Sequence, residues 1–177
     1  YTTAYAYAAL KNNGTVVAWG FSTDGGSAPN SVTDSADANF VAVEVIYANA
    51  GAFAALRTDG TVVAWGNSSN GNTAPSGLSN VKSIYVTNTA FAALKTDGTV
   101  VAWGSATDGG TVPSALTSSS TANVKTIYST NGAFAALKTD GTVVVWGNST
   151  FGSDSSGVQS QLTNIRTIFS LSLIHIS

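Results

Sequence analysis

The sequence predicts an all-β fold assembled from repeated antiparallel blades, and three observations carry that prediction. One block recurs four times: AYAALKNNGTVVAWG at 6–20, AFAALRTDGTVVAWG at 52–66, AFAALKTDGTVVAWG at 90–104 and AFAALKTDGTVVVWG at 133–147. A second phrase, Val/Ile-x-x-Ile-aromatic, precedes each of the last three blocks and recurs once more near the end, at Val43–Tyr47, Val81–Tyr85, Val124–Tyr128 and Ile165–Phe169 (with Val43-Glu-Val-Ile-Tyr47 as the first). The block tryptophans Trp19, Trp65, Trp103 and Trp146 stand 46, 38 and 43 residues apart. A period near forty with several strands per unit reads as a β-propeller, here an incomplete array of about four blades.

Each block is a hairpin by its own chemistry. In the third, Ala90–Leu94 and Thr99–Trp103 are short apolar runs flanking Lys95-Thr96-Asp97-Gly98, where Asp and Gly supply the turn and a positive φ at low cost. Gly14, Gly60, Gly98 and Gly141 hold this place in the four blocks. Ala90, Ala92 and Leu94 point to one side of the pleat and Phe91 and Ala93 to the other, so neither face is polar. A strand that is apolar on both faces must be covered on both, so the repeats must stack on one another. The Val-x-x-Ile phrase, with a polar second residue, predicts a third strand in each repeat, Ile165–Phe169 included, with room for a short fourth. Length varies only between the Gly of each block and the next Val-x-x-Ile phrase, which places insertions on loops.

Composition narrows the function. The chain is 44% hydrophobic, 9% charged and carries a net charge of −2, which excludes a disordered segment. The charges form no basic stripe, which argues against a nucleic-acid partner. Cysteine is absent, so there is no disulfide framework, thiolate metal site or catalytic thiol. No apolar stretch is long enough to span a bilayer. The chain opens at Tyr1 inside a repeat, so residues 1–170 are expected to be a propeller fragment. Residues 171–177, LSLIHIS, match the translation of a transposase mosaic-end sequencing adapter and are expected to be an artefact, and the single histidine, His175, goes with them.

The loop, strand and hairpin series of Trp65-Gly66, Pro75, Leu78, Val81, Ile84 and Ala90–Gly104 resembles the repeats of the regulator of chromosome condensation superfamily of β-propellers. It is most similar to the short-repeat bacterial branch that includes beta-lactamase inhibitor protein II. The resemblance covers Ala6 to Phe169 and implies a ring of about seven blades, of which this chain would supply about four. Two departures bear on function. Ala52, Ala90 and Ala133 stand where the classical repeat has histidine, and Gly51, Thr89 and Gly132 stand where the inhibitor has partner-binding aromatics. Both exchange activity on a GTPase and lactamase inhibition are therefore expected to be absent.

Searched for chemistry, the repeats give structural answers. Trp19, Trp65, Trp103 and Trp146, with Phe53, Phe91 and Phe134, recur at fixed places and are expected to pack between blades. Asp59, Asp97 and Asp140 each precede the turn glycine and follow a cation two residues back, so turn chemistry accounts for them. Asp24, Asp108 and Asp154 lie in loops expected to be solvated, and Asp34 with Asp37 forms at most a weak oxygen site, since no calcium-loop spacing occurs. No catalytic triad, phosphate loop or nucleotide motif is present. The expectation is a non-catalytic interaction module without cofactor or metal, in an exported or cell-surface protein. Variable loops at 21–39, 67–78, 105–123 and 148–162 would present contacts to a protein or glycan, with Phe21 and Phe151 as aromatic hot spots. Spacer repeats of a large adhesin, or the accessory domain of an enzyme, are the alternatives.

Overall fold

The hairpin turns are fixed by side chains that bond their own backbone. Asp97 Oδ1 accepts the N–H of Thr99 at 3.0 Å and its hydroxyl at 2.6 Å. Asp140 does the same with Thr142, and Asn13 with Thr15. The glycine that follows each is left-handed, at φ 79 for Gly14, 78 for Gly60, 80 for Gly98 and 78 for Gly141, a conformation that costs an L-residue side-chain strain.

The computed structural model describes residues 1–170. The first hairpin pairs β1 (Ala6–Leu10) with β2 (Val16–Gly20). Three three-stranded antiparallel sheets follow. They are β3 (Val43–Ala48), β4 (Ala52–Arg57) and β5 (Val62–Gly66), then β6 (Val81–Val86), β7 (Ala90–Lys95) and β8 (Val100–Gly104), then β9 (Val124–Ser129), β10 (Ala133–Lys138) and β11 (Val143–Gly147). In each sheet the first hairpin strand is central, with the Val-x-x-Ile strand on one edge and the tryptophan strand on the other. β3, β6 and β9 run next to one another and form the inner wall of the array. Each carries a bulge, at Glu44, Lys82 and Lys125.

Two expectations of the sequence are corrected. Ile165–Phe169 is not a strand, because a strand needs a partner, and among the described residues no hairpin follows it. Nor is there a fourth strand per blade among these residues. Short helical turns take its place at Ser22–Asp24, Ser68–Asn70 and Ser149–Phe151, with a kinked turn at Ala106–Gly110. The LSLIHIS segment and His175 lie outside the described residues.

The core sits between blades. Each sheet presents an aromatic face backward and a small-residue face forward. Val81, Ile84, Phe91, Ala93 and Trp103 pack against Ala52, Ala54 and Leu56 of the blade before. The other face of the same sheet, Ala90, Ala92, Leu94 and Val100, receives Val124, Ile127, Phe134 and Trp146 of the blade after. Phe and Trp stack within each sheet, with ring centroids 5.3, 5.2 and 5.1 Å apart for Phe53–Trp65, Phe91–Trp103 and Phe134–Trp146. The alanines opposite let the next backbone approach the rings closely, so each interface is one continuous apolar layer.

Backbone hydrogen bonds stitch the blades at both ends. Near the hairpin tips, Val43, Val81, Val124 and Ile165 donate N–H groups to Gly14, Gly60, Gly98 and Gly141 of the preceding blade. At the opposite end, Ala4 donates to Ala50, Ala50 to Asn88 and Asn88 to Asn131, at 2.9, 3.0 and 2.8 Å.

Candidate functional site

Chain direction gives the array two unlike ends. Hairpin tips and the starts of the inner strands share one, the tip face. The other, the loop face, holds the turns that lead into β4, β7 and β10 and the loops that leave each Trp-Gly pair. Lys11, Arg57, Lys95 and Lys138 stand at tips, and Lys82, Lys125 and Arg166 at or beside inner-strand starts, which accounts for all seven cations of the chain. The tips are largely neutralised, with Lys95 and Lys138 each 3.7 Å from Asp97 and Asp140. Thr99 and Thr142, through hydroxyl and N–H, hold those carboxyls below their ordinary range. At Asp59 burial pulls the pKa upward, but the hydrogen bonds from Thr61 outweigh it and the net shift is downward. The loop face carries Asp24, Asp108 and Asp154 and, among the described residues, no Lys or Arg.

On the loop face the polar groups form concentric rows. Innermost is a cleft of about 500 Å³ whose lining includes Thr3, Asn49, Thr87, Asn88, Thr130 and Asn131. The next row joins inner strands to loops: Thr3 Oγ1 donates to Asp24 O, Asn49 Nδ2 to Asn70 O, Thr87 Oγ1 to Asp108 O and Thr130 Oγ1 to Phe151 O. Asp24, Asn70, Asp108 and Phe151 therefore occupy one station in four successive blades. Their carbonyls do identical work while their side chains differ.

Two of these residues correct the expectation of solvated loop acids. Asp24 is buried, with Asn67 Nδ2 3.4 Å from its Oδ1. Asp108 accepts the Thr89 hydroxyl at 2.6 Å and Asn148 Nδ2 at 3.3 Å. Each carboxylate locks its loop to the next one, a contact that local sequence does not reveal. Asp154 is exposed and bonds Ser156, which lowers its pKa. Asp34 and Asp37 each accept an N–H two residues on, from Ala36 and Asn39. Among the described residues no group of three or more potential ligands gathers to hold a metal.

The candidate aromatics separate. Phe21 is 61% exposed on the first loop, its N–H donated to Tyr5 O at 2.9 Å. Phe151 is 43% exposed at the station of the last loop. Its ring lies over Gly132, whose missing Cβ would sit 2.6 Å from it. The structure does not bring Phe21 and Phe151 together. It sets Tyr5, 69% exposed, beside Phe21 instead. Tyr5 stands where Gly51, Thr89 and Gly132 stand in the other blades, and its departure from those small residues was the available signal. Trp65, Trp103 and Trp146 are buried, while Trp19 is 50% exposed and stacks on exposed Tyr7 at 5.4 Å.

Blades stacked around an inner wall define a propeller by fold. Among solved structures the chain is similar to Prp20p from Saccharomyces cerevisiae, the yeast RCC1 protein (TM-score 0.55, 22% identity, over 82% of this chain and 42% of that one). It is similar also to human WBSCR16 (0.52, 21%, 82% and 46%) and to the CRINKLY WD40 ectodomain of the Arabidopsis thaliana receptor kinase ACR4 (0.54, 18%, 82% and 48%). The chain thus has the fold of RCC1-type propellers and spans less than half the length of these solved chains. No family profile matches the sequence. No curated protein matches it either.

Proposed function

We propose that this chain is a non-catalytic interaction module of the RCC1 type whose loop face is the contact surface. The observation that carries this reading is the station shared by Asp24, Asn70, Asp108 and Phe151, where one scaffold position holds four side chains of three chemistries. Exposed Tyr5 and Phe21 add an aromatic anchor at one end of that row, and aromatic groups on a rigid frame are efficient contact residues. The absence of Lys and Arg from this face among the described residues favours hydrogen-bonding and aromatic recognition of a neutral or basic protein segment or a glycan over recognition of a phosphate. Prp20p, with the same fold, has binding properties toward Gsp1p and histones and has been crystallised with Kap60, which supports a protein-binding use. Within this reading the repeats belong to the short-repeat bacterial branch. A weakly charged chain with Ser-, Thr- and Asn-rich loops suits an exported or cell-surface protein.

The test is a peptide-display library and a glycan array probed with the wild-type chain, the Tyr5→Ala/Phe21→Ala double variant and a Lys95→Ala tip variant. Ligands kept by wild type and Lys95→Ala but lost by the double variant, with an unchanged melting curve, are expected. Ligands insensitive to the loop variant, or lost only on changing the tip, would overturn the reading.

A further inference from the structure

Three Asn-Gly pairs stand in the chain, at 13–14, 70–71 and 131–132. Such a pair has a reaction of its own, because glycine has no Cβ to keep its backbone nitrogen away from the side-chain amide carbon of the residue before it. In a folded chain two things hold the reaction off. A hydrogen bond from the glycine N–H ties up the attacking nitrogen, and hydrogen bonds to the asparagine amide fix the carbon it would attack. The three pairs differ in both.

Asn13 is locked in its hairpin tip. Its Oδ1 accepts the Thr15 N–H at 3.1 Å and the Thr15 hydroxyl at 2.7 Å, and the Gly14 N–H donates to Lys11 O at 3.0 Å. Asn70 is held between loops. Its Nδ2 donates to Asn88 O at 3.3 Å, its carbonyl accepts Asn49 Nδ2 at 2.7 Å, and the Gly71 N–H donates to Ser68 O at 3.4 Å. Among the described residues the Asn131 side chain makes no hydrogen bond and the Gly132 N–H has no acceptor. Asn131 lines the loop-face cleft of about 500 Å³, where water reaches it. Its freedom does not come from the end of the described chain, because Asn88, at the same place in a sheet covered on both faces, has its side chain free as well.

The reason lies at the start of the turn. In the turn into β4 that place is held by Asn49, whose Oδ1 accepts the N–H groups of both Gly51 and Ala52, at 3.1 and 2.8 Å. In the turn into β10 it is held by Thr130, whose hydroxyl donates to Phe151 O at 2.8 Å and accepts only the Ala133 N–H, at 3.1 Å. The Gly132 N–H is left over. Glycine itself is demanded by packing, since a Cβ at 132 would lie 2.6 Å from the Phe151 ring. The turn thus combines a residue without Cβ, a free N–H and a free side-chain amide.

We propose that Asn131-Gly132 is a self-modifying site, a deamidation through which the loop face gains a carboxylate. The Gly132 nitrogen gives its proton to water or hydroxide and bonds to Asn131 Cγ; the Cγ–Nδ2 bond then breaks, ammonia leaves and a cyclic imide closes. Water opens the ring. Addition at Cγ restores the main chain with an aspartate at position 131, and addition at the backbone carbonyl carbon gives the isoaspartyl form, whose main chain is longer by a methylene. In sum one water is taken up and one ammonia released, with no oxidant or reductant. Both products add a charge to a face that carries Asp24, Asp108 and Asp154 and, among the described residues, no Lys or Arg. The isoaspartyl form also turns the carbonyl that accepts the Asn88 N–H at 2.8 Å into a free carboxylate. The consequence for ligands rests on the loop-face reading: preference moves toward basic segments as the protein ages.

The test incubates chain 1–177 at mildly alkaline pH, folded and, in parallel, unfolded in guanidinium chloride, and follows tryptic peptides by mass spectrometry. Cleavage at Lys125 and Lys138 isolates the pair in peptide 126–138, apart from the other two. Each folded rate is divided by the unfolded rate of the same pair, which removes local sequence effects. On that scale 131–132 should convert faster than 13–14 and 70–71 by about tenfold or more, since no hydrogen bond has to break first. Thr130→Asn recreates the Asn49 arrangement, with Oδ1 accepting the Gly132 N–H and Nδ2 replacing the hydroxyl on Phe151 O, and should slow the pair by a similar factor at an unchanged melting temperature. Wild-type conversion at 131–132 no faster than at the other pairs would overturn the proposal, and that comparison needs no variant. So would a folded Thr130→Asn chain converting at the wild-type rate. The readout is mass rather than binding, so this proposal and the loop-face reading fail separately.

Discussion

The indole N–H of Trp146 donates to the carbonyl of Gly109 at 3.0 Å, a bond that crosses from one blade to the loop of the blade before it. Gly109 is left-handed at φ 103, and a Cβ there would lie 2.5 Å from the Phe134 ring. Ring, indole and glycine thus form a single joint, repeated at Gly25 and Gly71.

Trp103→Ala is expected to cost about 3–5 kcal/mol in urea unfolding, because it empties a fully packed site. Trp103→Phe keeps the stacking but orphans the buried Gly71 carbonyl, at a cost of about 1–3 kcal/mol. Trp19→Ala, at a half-exposed ring, should cost less than about 1 kcal/mol.

Gly109→Ala is expected to destabilise by at least about 2 kcal/mol, combining left-handed strain with a clash against Phe134. Gly152→Ala has the same backbone strain and no clash, so the difference between the two melting temperatures isolates the ring contact.

The tip aspartates make stability depend on acid in a defined direction. Thr99 and Thr142 depress the Asp97 and Asp140 pKa values below their ordinary 3.8. A depressed carboxylate contributes stability that is present above 3.8 and is lost as pH falls through the folded value. Carboxyl carbon NMR should show both groups titrating low, and Thr99→Val should return Asp97 alone toward the ordinary value.

Tyr5→Ala and Phe21→Ala should each change stability by no more than about 0.5 kcal/mol, since both rings stand in solvent. A larger loss, read by thermal unfolding, would make them packing residues rather than contact residues.

Hairpins, turns and the facing of Ala90, Phe91 and their neighbours were legible because Asp-Gly turns and period-two patterns are local signals. Ile165–Phe169 read as a strand and is not one, because pairing depends on a hairpin elsewhere in the chain. The burial of Asp24 and the grip of Asn148 on Asp108 arise where one loop meets the next. Those contacts follow from how blades stack, which no window of sequence contains. Tyr5 was overlooked for a related reason: its exposure depends on which neighbour covers the residue ahead of the hairpin, and Gly51, Thr89 and Gly132 answer that differently from Tyr5.

The most direct test of the stacked-blade account is amide and indole hydrogen exchange followed by NMR, where four tryptophan side chains give four separate signals. Trp65, Trp103 and Trp146 should be strongly protected and Trp19, which is 50% exposed, should exchange rapidly. Indole signals that all exchange at the rate of Trp19 would contradict the joints on which the whole account rests.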